Sequence, residues 1–131
     1  MGEQENIELM RRGFEAFNRA DVGALSELIA ADAVQHMPGN NKLAGDHIGR
    51  DAILAMYGQM GQDTGGTFRA ALTDLRADGP DRVVAQYRAD GQRNGKTLAT
   101  DHVITFEIRD NTVTDITDTT ADESAWDAFW T

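Results

Sequence analysis

Apolar side chains at Ile7, Met10, Phe14 and Phe17 recur at steps of three and four, so the chain opens on one helical face. The polar run Asn18-Arg19-Ala20-Asp21 interrupts it. Asp21 suits the N-cap of a short second helix carrying Val22, Leu25, Leu28 and Ile29. Residues 32–37 read as a strand ended by Pro38-Gly39, and residues 40–48 as a polar loop rich in turn formers. A third helix bears Ile53, Met56, Tyr57 and Met60 on one side, with Asp51 in the first turn, where a carboxylate meets the positive end of the helix dipole.

From Thr67 the period drops to two, and residues 67–76, 82–89, 97–108 and 112–120 read as strands. Their links, Asp78-Gly79-Pro80-Asp81, Gly91-Gln92-Arg93-Asn94-Gly95 and Asp110-Asn111, have hairpin-turn composition, which predicts antiparallel pairing in sequence order. Asp122 caps a last helix with Trp126, Phe129 and Trp130. Helices first and a strand meander after make an α+β chain, with helices packed on one face of a curved sheet. No repeat or linker divides residues 1–131, which read as a single domain.

The alternation also sorts the polar residues. Leu98, Thr100, His102, Ile104, Phe106 and Ile108 share one strand face, so His102 belongs to the apolar side. Ile116, Asp118 and Thr120 share a face, as do Val34 and His36. A polar side chain on a core face needs partners to offset its burial. His36, His102 and Asp118 are therefore candidates for one enclosed polar site, unless a bulge inverts a strand. Gln86 and Arg88 share a face, which is either the pocket or a dimer surface. His47 lies in the loop before the third helix, where it would cover the mouth of a pocket or stand in solvent.

Composition narrows the chemistry. The chain has no cysteine, which excludes disulfides, a thiol nucleophile and zinc–thiolate sites. Its net charge of −10 repels phosphate backbones and anionic lipid, so neither nucleic acid nor membrane is an expected partner. Residues 1–6 are polar and acidic, no run reaches the ~18 apolar residues of a membrane span, and a cytoplasmic location is expected. Three histidines lack His-x-His or His-x3-His spacing, so no metal is expected; nor does Gly45-Asp46-His47-Ile48-Gly49-Arg50 carry the Lys-Ser/Thr pair of a phosphate loop.

Taken in order, five segments resemble the nuclear-transport-factor-2-like superfamily, in its SnoaL-like and ketosteroid-isomerase-like branch. They are Phe14-Glu15-Ala16-Phe17-Asn18-Arg19-Ala20-Asp21, Ala31-Asp32-Ala33-Val34-Gln35-His36-Met37-Pro38-Gly39, Leu43-Ala44-Gly45-Asp46-His47-Ile48-Gly49-Arg50-Asp51-Ala52-Ile53, His102-Val103-Ile104-Thr105-Phe106 and Trp126-Asp127-Ala128-Phe129-Trp130. The resemblance implies a cone-shaped, curved antiparallel sheet wrapped on the N-terminal helices, with a short C-terminal helix, a pocket at the open end and a homodimer. In ketosteroid isomerases the general base lies near the end of the first strand, where His36 falls. An oxyanion donor lies on the penultimate strand, where His102 falls, and a tyrosine on the first helix, where Gly13 stands. Asp118 is similar in position to the last-strand Asp of the superfamily's epoxide hydrolases.

The expected activity is cofactor-independent acid–base chemistry on a hydrophobic carbonyl compound, by isomerisation or polyketide-cyclase-like aldol closure. His36 would take the proton, a neutral imidazole near pH 7 being a ready base. His102 and Asp118 would stabilise or orient. Phe14, Phe17, Met37, His47, Tyr57, Ile104, Ile116 and Trp126 are the expected pocket lining. Two rival classes share the fold: a non-catalytic ligand-binding or accessory domain, and a protein-interaction module using the sheet face.

Overall fold

A computed structural model describes residues 2–131. Helix α1 (Glu3–Asn18) buries Leu9, Met10, Gly13, Phe14 and Ala16, the face read from the sequence shifted slightly toward Leu9. Its end is pinned to the sheet by one side chain: Asn18 donates to the Ala70 carbonyl and accepts from the Ala70 N–H, both at 2.9 Å. Helix α2 (Val22–Leu28) starts on Asp21, whose carboxylate accepts from the Ala24 N–H at 3.1 Å. Ile29, expected on that helix, instead opens strand β1 (Ile29–Met37).

The next strand is absent from the sequence reading. Within the expected loop, Gly45–Ile48 forms β2 and pairs antiparallel with β1. Four residues without alternation, on a sheet edge, leave no period to detect. Helix α3 (Arg50–Asp63) is followed by β3 (Arg69–Ala77), β4 (Arg82–Arg93), β5 (Lys96–Arg109) and β6 (Thr112–Thr120). Asn94-Gly95 and Asp110-Asn111 turn with positive φ at both residues, as the tight hairpins at those links require. Helix α4 (Glu123–Trp130) is capped by Asp122, which accepts from the Ala125 N–H at 3.1 Å.

The six strands form one curved sheet in the order β2-β1-β6-β5-β4-β3. Every pairing is antiparallel except β1 with β6, which is parallel, so the expected antiparallel sheet is in fact mixed. A register shift between Glu107 and Ile108 brings Val113 into the core although it alternates out of phase with Ile116. The helices cover the inner face, and α4 sets Trp126, Phe129 and Trp130 against its end; each is at most 2% exposed. Among the described residues, no helix is long and apolar enough to cross a membrane.

Candidate functional site

Between α1, α2, α3 and the concave side of the sheet lies a cavity of about 80 Å³. Its walls are mainly apolar, from Met10, Phe14, Phe17, Met37, Ile104, Phe106 and Ile116 among others. Four polar side chains reach it: Gln35 from β1, Tyr57 from α3, Tyr87 from β4 and Asp118 from β6. Gly13 of α1 also faces it, leaving no donor at the position where the resemblance implies a tyrosine.

Asp118 is 3% exposed and is the carboxyl of this wall. The Tyr87 hydroxyl faces both of its oxygens at 3.0 Å, sharing one proton between them. His102 Nδ1 stands 3.3 Å from Oδ1, a close electrostatic contact without the alignment of a hydrogen bond. The other ring nitrogen lies 2.9 Å from the Thr100 hydroxyl. When Thr100 donates to Nε2, the ring proton sits on Nδ1 and faces the carboxylate. Burial pushes the Asp118 pKa above the usual carboxylate range; His102, Tyr87 and the Thr119 N–H pull it part of the way back. Burial, with the neighbouring Asp118 charge, likewise pushes the Tyr87 phenol well above its ordinary value, so it stays a donor.

The imidazole is clamped as well as paired. Its ring stacks on Tyr87 at 4.8 Å and 14°, and meets Trp126 edge-on at 4.6 Å. Strand register explains the stack, since Tyr87 is directly opposite His102, and Ile104 is opposite Asp118. His102 and Trp126 thus stand behind Asp118, outside the cavity wall.

A second polar pair lines the same cavity. The Tyr57 hydroxyl donates to Gln35 Oε1 at 2.5 Å, and the Gln35 amide N–H₂ points at the Met37 sulfur, 3.2 Å away. Burial and the charge of Asp118 raise the Tyr57 pKa. Gln35 is opposite Ile116 in the β1–β6 register, so it is a diagonal neighbour of Asp118.

The structure brings His102 and Asp118 together as expected but does not bring His36 to them. His36 is on the outer face of β1, its side chain 38% exposed, with Nδ1 2.7 Å from Asp46 and Nε2 3.0 Å from Asp115. The inner positions are Ala33, Gln35 and Met37. Taking Val34 as the core residue inverted this strand, because Gln35 is buried at the more polar position and its partners Tyr57 and Met37 come from elsewhere or further along. The two carboxylates hold the His36 pKa above its usual value. His47 does not line the cavity either; its Nε2 donates to the Leu43 carbonyl at 2.7 Å and ties down the turn before β2. Gln86 and Arg88 point outward, and Arg88 pairs with Asp101 at 2.9 Å. Phe14, Phe17, Met37, Tyr57, Ile104 and Ile116 line the cavity. Gln35 and Tyr87 went unread, although Val83-Ala85-Tyr87-Ala89 alternates clearly enough to have marked Tyr87 as inward. Among the described residues no group of three or more His, Cys, Asp or Glu side chains is placed to hold a metal ion.

The six-stranded mixed sheet folds over the helices around the buried carboxyl of Asp118. The SnoaL-like domain model matches residues 10–116, and the chain belongs to that family. An uncharacterised protein of Mycobacterium tuberculosis is 32% identical over 130 residues, covering 99% of both chains. Bal32a, from a soil-derived mobile gene cassette, is 40% identical with a TM-score of 0.97 over 98% of each chain. A candidate polyketide cyclase of Xanthomonas campestris pathovar campestris is 25% identical with a TM-score of 0.78 over 100% of both.

Proposed function

We propose that this protein is a cofactor-independent acid–base enzyme acting on a hydrophobic carbonyl compound, by isomerisation or aldol cyclisation, with Asp118 as the proton-transfer group. The observation that carries the reading is Asp118 itself, a carboxyl on the wall of an apolar cavity, held by Tyr87 and His102 and lifted in pKa by burial. A base works best when its pKa approaches the working pH, and desolvation moves Asp118 that way. His102 stands behind the carboxylate, its Nδ1 3.3 Å from Oδ1, and orients it. The name of the Xanthomonas neighbour is in keeping with carbonyl chemistry. The base expected at His36 thus passes to Asp118. The working form in this proposal is a homodimer, which light scattering tests.

The chemical step is proton removal from the carbon beside a carbonyl. The C–H pair becomes a C=C bond, the carbonyl π pair moves onto oxygen, and Asp118 holds the proton until it is returned to carbon. Thermal-shift screening with aryl ketones, steroids and polyketide fragments identifies a binder. Exchange of the binder's α-protons in D₂O, followed by proton NMR, then reads the step. Asp118→Asn is expected to abolish exchange and keep binding, whereas His36→Ala leaves exchange intact. Full exchange by Asp118→Asn sinks the proposal.

A further inference from the structure

The buried amide of Gln35 is underused. It is 3% exposed, and its oxygen is satisfied by Tyr57. Its nitrogen carries two N–H donors, and the acceptor before them is the thioether of Met37 at 3.2 Å, one of the weakest acceptors a protein has. Reversing the amide would bring its oxygen to the sulfur, two acceptors face to face, so the sulfur fixes which end is nitrogen and the Tyr57 hydroxyl donates to the other. Burying strong donors against a poor acceptor is costly and is tolerated where another acceptor arrives. Gln35 lines the same cavity as Asp118 and lies diagonally from it across the parallel β1–β6 pair.

We infer that the Gln35 amide is the hydrogen-bond donor that receives the substrate's carbonyl oxygen, and that Tyr57 is the positioning residue that aims it. This rests on the reading of Asp118 as the proton-transfer group and adds the other half of the site. As Asp118 takes the α-proton, negative charge grows on the carbonyl oxygen. A fixed N–H there binds the enolate better than the ketone, so it accelerates the step as well as holding the ligand. The ligand class follows: a neutral, mainly apolar molecule whose acceptor oxygen faces β1 and whose acidic C–H faces β6.

The test uses acetophenone labelled with ¹³C at the carbonyl, with three readouts: the carbonyl resonance of the bound ligand, its affinity, and methyl-proton exchange in D₂O. In the parent protein the bound resonance is expected downfield of the free one. Gln35→Glu keeps the shape and the acceptor for Tyr57 but has no N–H. Gln35→Met is the apolar control in case a second buried carboxyl unfolds the chain. Either is expected to lose the downfield displacement and to weaken binding by about 3- to 10-fold, the worth of one neutral hydrogen bond. Exchange should fall further, on the order of 100-fold, as for loss of an oxyanion donor. Tyr57→Phe should keep part of the displacement, because the amide remains but is free to turn.

Unchanged displacement and exchange in both Gln35 variants overturn the inference and leave Asp118 standing. Displacement that needs Gln35, together with exchange indifferent to Asp118→Asn, overturns the proton-transfer reading and leaves the Gln35 assignment standing. Binding to the parent protein without any displacement overturns the inference, and no binding at millimolar ligand overturns both.

Discussion

Removing the Tyr87 hydroxyl isolates the interaction that keeps Asp118 usable. In Tyr87→Phe the ring stays stacked on His102 and against Phe14, whose centroid is 5.7 Å away, so little packing is lost. What disappears is one donor facing both carboxylate oxygens at 3.0 Å. A hydrogen bond to a charged group is worth about 1.5–3 kcal/mol, and one to a neutral acid about 1 kcal/mol. At ~2.1 cal/mol/K per residue, the 131-residue chain has an unfolding entropy of ~275 cal/mol/K, so the charged-state loss lowers Tm by about 5–11 °C. The sign of the pH dependence follows from protons bound. Asp118 has a folded pKa above its unfolded one, so the native state holds the extra proton. Its contribution is fully present below the unfolded pKa and is lost as pH rises through the folded pKa. Tyr87 opposes that loss by stabilising the ionised form. The deficit of Tyr87→Phe should therefore be small in acid and grow as pH rises through the folded pKa of Asp118. Calorimetric Tm values for both proteins from pH 4 to pH 9 test this. A deficit independent of pH refutes the argument that Tyr87 serves the carboxylate.

Three further predictions concern the frame around the site. Gly39 has φ +89°, and a Cβ there would lie 2.2 Å from Asp127 Oδ1, the atom that accepts from the Asn40 N–H and the Asn41 amide. Gly39→Ala should cost about 2–4 kcal/mol by thermal denaturation. In an Asp127→Ala background the backbone strain and the 2.9 Å approach to the Asn41 amide nitrogen remain, so equal costs in both backgrounds refute the clash with Asp127. His36, raised in pKa first by Asp46 and then by Asp115, adds stability that is present below its ordinary value and lost as pH rises through the raised one. Its side chain is 38% exposed, so solvent holds the effect below about 1 kcal/mol, read as a urea-midpoint difference from His36→Gln at pH 5 that disappears by pH 9. Finally, Gly58 and Gly61 lie within α3 with nothing within 4 Å of an added Cβ. Alanine at each should raise stability by about 0.5–1 kcal/mol, measured in the same way.

The elements that carried long periodic signals were legible. Strand β5 put all six alternating residues from Leu98 to Ile108 inside, and the caps Asp21 and Asp122 hold their helices as read. What escaped reading depended on partners distant in sequence. Gln35 is tolerable inside because α3 brings Tyr57 to it, and His36 is at home outside because β2 and β6 each supply a carboxylate. Val34 and Gln35 differ by one position, so a parity judged from the more apolar of the two turned the whole strand over. The edge strand β2 exists through its pairing with β1 rather than through its own composition.

The parallel join of β1 to β6 also governs when the site can exist. Gln35 and its register partner Ile116 belong to opposite ends of the chain, and the hairpins that link β3 to β6 can close before β1 finds its place. Long-range pairings of this kind form late and slowly, because the intervening chain must be ordered first. Folding should therefore show the β3–β6 meander protected against hydrogen exchange ahead of β1. Ligand-binding competence should arrive with the last of the sheet, so that recovery of binding after denaturation reports this single docking event.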